Sequence, residues 1–159
     1  MKFRDDVSNL TGGSKNFLKL KDKESVSGIF KGDLHEYFIV WENGKSREVP
    51  EGTPKAGFRF RVNFVMKEGS SYSPKIFENG PGVYAQLKEL NDEYGLDSIV
   101  VKITRNGTGL DTTYSILPLL KQTLSKEAVE FISTLTLHPL ENKDNAPSAR
   151  NANGDDIPF

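Results

Sequence analysis

The chain has 159 residues, a formal net charge of −1 and 36% hydrophobic residues, enough for one domain with a real core plus appendages. It contains no Cys, which removes disulfides, thiol nucleophiles and thiolate zinc sites together. No apolar run is long enough to span a membrane, and the charged start Met1-Lys2-Phe3-Arg4-Asp5-Asp6 has no signal core, so a cytoplasmic protein is expected.

Residues 1–15 carry Asn9, Gly12, Gly13 and Ser14 without periodicity and read as a flexible arm. Gly12-Gly13-Ser14-Lys15 lacks the spacing and flanking elements of a phosphate loop. Phe17-Leu18-Lys19-Leu20 and Ser25 to Lys31 read as strand, with a bend near Asp22. Gly32-Asp33 is a plausible turn into Leu34 to Trp41, which is rich in aromatic and β-branched residues. Asn43-Gly44 is a two-residue hairpin turn, because both positions tolerate positive φ, and a short strand follows around Ser46 to Val49. Pro50 to Gly57 reads as a loop.

The next stretch organises the chain. Phe58, Phe60, Val62, Phe64 and Met66 alternate with Arg59, Arg61, Asn63 and Lys67, one apolar and one cationic face of an extended strand. Lys55, Arg59, Arg61, Lys67 and Lys75 face Glu68 alone between 55 and 75, so charge is segregated despite the neutral total. The turn Glu68-Gly69-Ser70-Ser71 leads to Tyr72 to Phe77, where Pro74 demands an edge or a bulge.

Gly80-Pro81 opens a helix with Val83, Leu87, Leu90 and Tyr94 on one stripe, and Gly95 closes it. Ser98 to Arg105 and Thr112 to Pro118 form a last strand pair around Asn106-Gly107-Thr108-Gly109. Ser125 caps a second helix expected to bury Ala128, Val129, Ile132 and Leu135. After Pro139 periodicity is lost and the composition is that of a disordered acidic tail. The resulting division is an arm over 1–15, a domain over 16–138 and a tail over 139–159. The fold class expected is mainly β: a five-stranded OB-type barrel with one helix between strands 3 and 4, and a C-terminal helix. A helix-on-sheet α+β fold is the alternative.

Single-stranded nucleic acid requires cations along the phosphate track and flat surfaces for unstacked bases. Arg59, Arg61, Lys67, Lys75 and Lys102 supply the cations, and Asn63 can bond sugar or base. Four phosphate contacts would give a salt slope of roughly −3. Tyr37 and Trp41 share one parity and, with Tyr72, are the candidate stacking rings; Trp41 capping the core at a hairpin end is the competing account. Catalysis finds little support. His35 and His138 lie in no signature, and Glu89, Asp92, Glu93 and Asp97 near the helix end read as a solvated face rather than a metal site. No cofactor is expected.

The chain finishes on Asp155-Asp156-Ile157-Pro158-Phe159, behind a linker rich in Asn, Ala and Pro. Two carboxylates, two apolar side chains and a terminal carboxylate suit a hydrophobic pocket rimmed by Arg or Lys. This tip resembles the acidic tip of bacterial single-stranded DNA-binding proteins, which dock replication and repair partners through it. The body resembles the OB-fold single-stranded DNA-binding proteins of tailed bacteriophages. That likeness is carried by the strand from Phe58 to Phe64, Pro74-Lys75-Ile76-Phe77-Glu78, the Val83 to Leu90 helix and Val101-Lys102-Ile103-Thr104-Arg105. The resemblance implies sequence-independent binding of single-stranded DNA, without catalysis, in replication, recombination or repair, with partner proteins recruited by the tip. A phage-encoded chain would act in the host bacterial cytoplasm. The rivals are an interaction adaptor whose barrel binds no nucleic acid, and a metal-dependent nuclease using the helix-end carboxylates.

Overall fold

The computed structural model describes residues 16–141. The proposed arm and the tip Asp155 to Phe159 lie outside the described residues. Six strands build one antiparallel sheet: β1 (Ser25–Glu42), β2 (Lys45–Val49), β3 (Gly57–Glu68), β4 (Ser71–Asn79), β5 (Val101–Asn106) and β6 (Thr113–Pro118). Helix α1 (Pro81–Tyr94) lies between β4 and β5, and α2 (Lys126–Thr134) follows β6. The hydrogen-bonded order is β4-β3-β1-β5-β6, with β2 paired to β1. This path does not close on itself. Its outermost strands meet instead through the rings of Phe77 and Tyr114, 6.1 Å apart.

Strand β1 is the spine. The expected turn at Gly32-Asp33 is instead an irregularity inside one 18-residue strand: the register against β3 shifts between Lys31 and His35, and Gly32 sits at φ 80°. Between those two pairs Gly32, Asp33 and Leu34 stand against Val62 alone, two residues more than a regular ladder, and glycine takes the positive φ of this bulge without a Cβ penalty. Before the shift β1 pairs with β5 on one flank (Ser25 to Gly28), and after it with β2 (Phe38 to Glu42). Asn43-Gly44, both at positive φ, make the predicted hairpin turn.

Phe30, Phe60, Val62, Phe64, Phe77, Val101 and Ile103 fill the interior with Val83 and Leu87 of α1. The alternation in β3 accounts for this directly, since every second residue points to that side. Phe30 and Phe64 pack at a ring separation of 4.9 Å, with a tilt favoured by the aromatic quadrupole. Pro74 falls on β4, the end of the sheet path, where a missing N–H is tolerated. The other edge of β4 is not bare: Leu18 N–H donates to Ile76 O at 2.8 Å and Ile76 N–H to Asn16 O at 2.6 Å. Residues 16–18 thus cover the strand.

Helix α1 starts with Pro81 in its first turn and ends at Gly95, φ 79°, whose N–H reaches Asn91 O. Ser125 caps α2 by accepting from Ala128 N–H at 3.1 Å. Ile132 is buried as expected, Ala128 and Leu135 are half-buried, and Val129 is instead 48% exposed. The helix is short, and it rests on the sheet through one narrow line of contact, Ile132 against Ile29 and Val65.

Tyr84 on α1 donates to Glu36 Oε2 at 2.7 Å, and its ring packs at 4.9 Å from Phe58. The bond to the carboxylate raises the phenol above its ordinary value of 10.0, with smaller contributions from burial and the Glu36 charge. A pKa raised on folding contributes stability that is complete below the unfolded value and lost as pH climbs through the folded one. Ultraviolet titration should therefore find a late tyrosinate that Glu36→Gln brings back toward 10.0. An unchanged midpoint in that variant would show that the carboxylate is not the cause.

Candidate nucleic-acid interface

Directly opposed residues of an antiparallel pair share a face. The register therefore places Tyr37 beside Arg59, and then Arg61 beside Glu78, Asn63 beside Ile76, Val65 beside Pro74 and Lys67 beside Tyr72, all on the side away from the phenylalanine core. Lys102, opposite Ser27 and Leu117, continues that face across β5. Lys75 does not belong to it. It pairs with Phe64 and so has core-side parity, a correction to its place among the candidate cations.

The expected cationic face exists, but its middle is not open to solvent. Arg59, Arg61 and Asn63 are 5%, 3% and 3% exposed. Two causes combine. The first is Glu78, itself buried, whose carboxylate meets Arg61 Nε at 2.7 Å and Arg59 Nη2 at 3.6 Å. Tyr37 donates its hydroxyl to the same carboxylate, while the Arg61 guanidinium lies 4.4 Å above the Tyr37 ring. Tyr37 is thus a buried ring within an ion cluster, not an outward stacking platform. The geometry suits a guanidinium, which bonds in its plane and stacks through its face.

The second cause is the chain after α2. Residues 135–140 run irregularly over β3 and β4, outside any strand. Arg61 Nη1 donates to Leu140 O at 2.7 Å. Asn63 exchanges two bonds with His138, Nδ2 to the carbonyl at 3.0 Å and Oδ1 from the amide at 2.9 Å. The His138 ring nitrogen Nε2 lies 2.8 Å from Pro74 O. Leu135 and Leu137 pack with Ile29, Val65 and Ile132 beneath.

What remains accessible is at the margins. Lys67 is exposed, and Tyr72 and Lys102 are half-buried. Lys67 and Tyr72 line one depression of about 260 Å³ with Gln122, Thr123 and Ser125. At the far end Trp41 is half-buried beside Ser46, its indole Nε1 buried without a hydrogen-bond partner. His35 stacks on Tyr37 at 5.6 Å, with Nε2 3.8 Å from Glu48 Oε1, so it belongs to the edge of the ion cluster rather than to bare surface. Of the acidic residues at the end of α1, Asp92 pairs with Lys88 at 3.0 Å, and among the described residues no three His, Asp or Glu converge as metal ligands.

Glu78 and His138 are the structural partners that sequence reasoning missed. Glu78 was within reach, because counting outward from the Gly69-Ser70 turn sets Lys67 against Tyr72 and Arg61 against Glu78. No pattern in Leu135 to Leu140 announces that main-chain carbonyls will serve β3. Among the described residues no helix is long and apolar enough to cross a membrane. Comparison with protein families, curated proteins and solved structures finds none that matches this chain.

Proposed function

We propose that the protein binds single-stranded DNA without sequence preference on the outward face of β3 and β4, within an OB-type barrel. The strand order β4-β3-β1-β5-β6, the helix between β4 and β5, and the Phe77–Tyr114 contact between the end strands support that architecture, with β2 as an elaboration. The observation that carries the functional reading is Lys67 directly opposite Tyr72: a cation and a ring side by side, on the face OB folds use for oligonucleotides. Lys102 extends the cationic track, and the acidic tip Asp155 to Phe159 would recruit replication or recombination proteins. The protein is a binder, not an enzyme, and needs no cofactor.

Tyr72→Ala should weaken oligo(dT) binding by about 1–3 kcal/mol, the worth of one stacked base. Lys67→Ala should lower the salt slope of binding by about 0.7, the share of one neutralised phosphate on a single strand. Fluorescence anisotropy across a salt series reads both. A wild-type slope of zero would remove the proposal. One observation favours the adaptor reading, namely that Arg59 and Arg61 are engaged with Glu78 rather than facing solvent. An adaptor would show no oligo(dT) binding at any salt concentration.

A further inference from the structure

We infer that residues 135–140 are a displaceable cover over a second, latent segment of the polynucleotide track, formed by Arg61 and Asn63. The inference rests on the single-stranded DNA reading of the β3–β4 face. Three features carry it.

The covering segment joins no strand of the sheet, so backbone ladder bonds do not fix it there. It is held by side chains of β3 that grip its main chain: Arg61 on Leu140 O, Asn63 on the carbonyl and amide of His138. Those donors are the kind that bind phosphate and sugar oxygens in nucleic-acid grooves. A carbonyl is a weaker partner for a guanidinium than an anionic oxygen, because the anion adds a Coulomb attraction between opposite charges to the hydrogen bond. The cover therefore occupies Arg61 with an acceptor that a phosphate can outcompete.

The segment Leu135-Thr136-Leu137-His138-Pro139-Leu140 carries no carboxylate, although it lies on a stripe where two guanidiniums face one Glu78. Glu141 follows directly and is exposed, and the contact Arg61 makes with this stretch is to the Leu140 carbonyl. Its hold is shallow as well: Leu135, Leu137 and Leu140 are only half-buried, and Thr136 and Pro139 are exposed.

The covered donors are continuous with the accessible site. Lys67, Val65, Asn63 and Arg61 alternate along one face of β3, opposite Tyr72, Pro74, Ile76 and Glu78. A strand of DNA seated at Lys67 and Tyr72 would thus meet the edge of the cover at the next pair on this face, Val65 and Pro74, where the His138 ring bonds Pro74 O. Displacement would lengthen the track along β3 without moving the sheet.

The test is hydrogen–deuterium exchange of the full chain with and without saturating oligo(dT), read at the His138 amide. That amide donates to Asn63 Oδ1, so its protection reports the cover directly. DNA binding should raise its exchange rate at least tenfold, while the amides of β3 stay protected. His138→Ala, which removes the ring contact to Pro74 and touches none of the proposed DNA contacts, should tighten oligo(dT) binding about threefold or more. Bound DNA with unchanged His138 protection would overturn the cover and leave the binding site at Lys67 and Tyr72 standing. So would a His138→Ala protein that binds no better than wild type. Absence of oligo(dT) binding in the wild-type chain would overturn both.

Discussion

Glu78→Ala is expected to destabilise the protein by about 3–5 kcal/mol, the cost of leaving a buried charge uncompensated. Its carboxylate lies between Arg59 and Arg61 and accepts from Tyr37, and all four side chains are buried. Removing it places two like charges together, away from water, and orphans a phenol. Glu78→Gln keeps the volume and one acceptor but not the charge, and should recover only part of the loss. Urea unfolding gives both values. A loss under about 1 kcal/mol for the alanine variant would mean that water and the neighbouring chain solvate the guanidiniums well enough. The experiment also bears on function. A strongly destabilised variant would place Arg59 and Arg61 first among structural groups, whatever else they contact.

Arg105→Ala should be comparably severe, about 3–5 kcal/mol, for a different reason. Arg105 is 4% exposed and on the core side of β5, yet its guanidinium ties three separate parts of the chain. Nη1 donates to Leu20 O at 2.7 Å, Nε to Gly107 O at 3.2 Å and Nη2 to Thr112 Oγ1 at 3.3 Å. Truncation strips those acceptors of a charged donor, and each such bond is worth about 1.5–3 kcal/mol, not additively. The loop it anchors has little slack. Gly107 sits at φ 92°, where a Cβ would fall 2.4 Å from Asp111 O, and its N–H donates to Asp22 Oδ1 at 2.7 Å. Exchange at the Gly107 amide should accelerate in Arg105→Ala along with the global loss. Arg105→Lys, a single point charge in place of a planar fork, should rescue little. Full rescue by lysine would refute the claim that the fork geometry matters.

Much of this architecture can be read from the chain because its strands obey the period of two. Phe58 to Met66 declare the core side of β3 without help from elsewhere, and Asn43-Gly44, Pro81, Gly95 and Ser125 mark their boundaries by local backbone chemistry. Gly32 was legible as a special position but not as to kind, since positive φ serves a bulge and a turn alike. Val129 failed for lack of a partner: an amphipathic spacing states which residues can be buried, and the sheet offered α2 room for Ile132.

The candidate site was legible in its faces and not in its exposure. Parity correctly set Arg59, Arg61, Asn63 and Lys67 together, opposite the phenylalanines. Whether a face meets water depends on what else lies on it, here Glu78 from the next strand and His138 from 75 residues away. Lys75 lies close to those cations in sequence, but counting across the hairpin puts it against Phe64.

The long first strand has an implication for how the chain is made. Ser25 and Thr104, whose hydroxyls stand 2.7 Å apart, are separated by 79 residues. A ribosome thus releases β1 well before its last neighbour exists, and one margin of that ribbon must wait with its amides and carbonyls unclaimed. Such an interval is when a nascent chain is most exposed to pairing with the wrong ribbon, including that of a sister molecule. The β2 hairpin, joined through a two-residue turn, shields the end of β1 that emerges next. The stretch from Ser25 to Gly28 has no such early companion, and it is there that synthesis rate and chaperone access would decide the yield of folded protein.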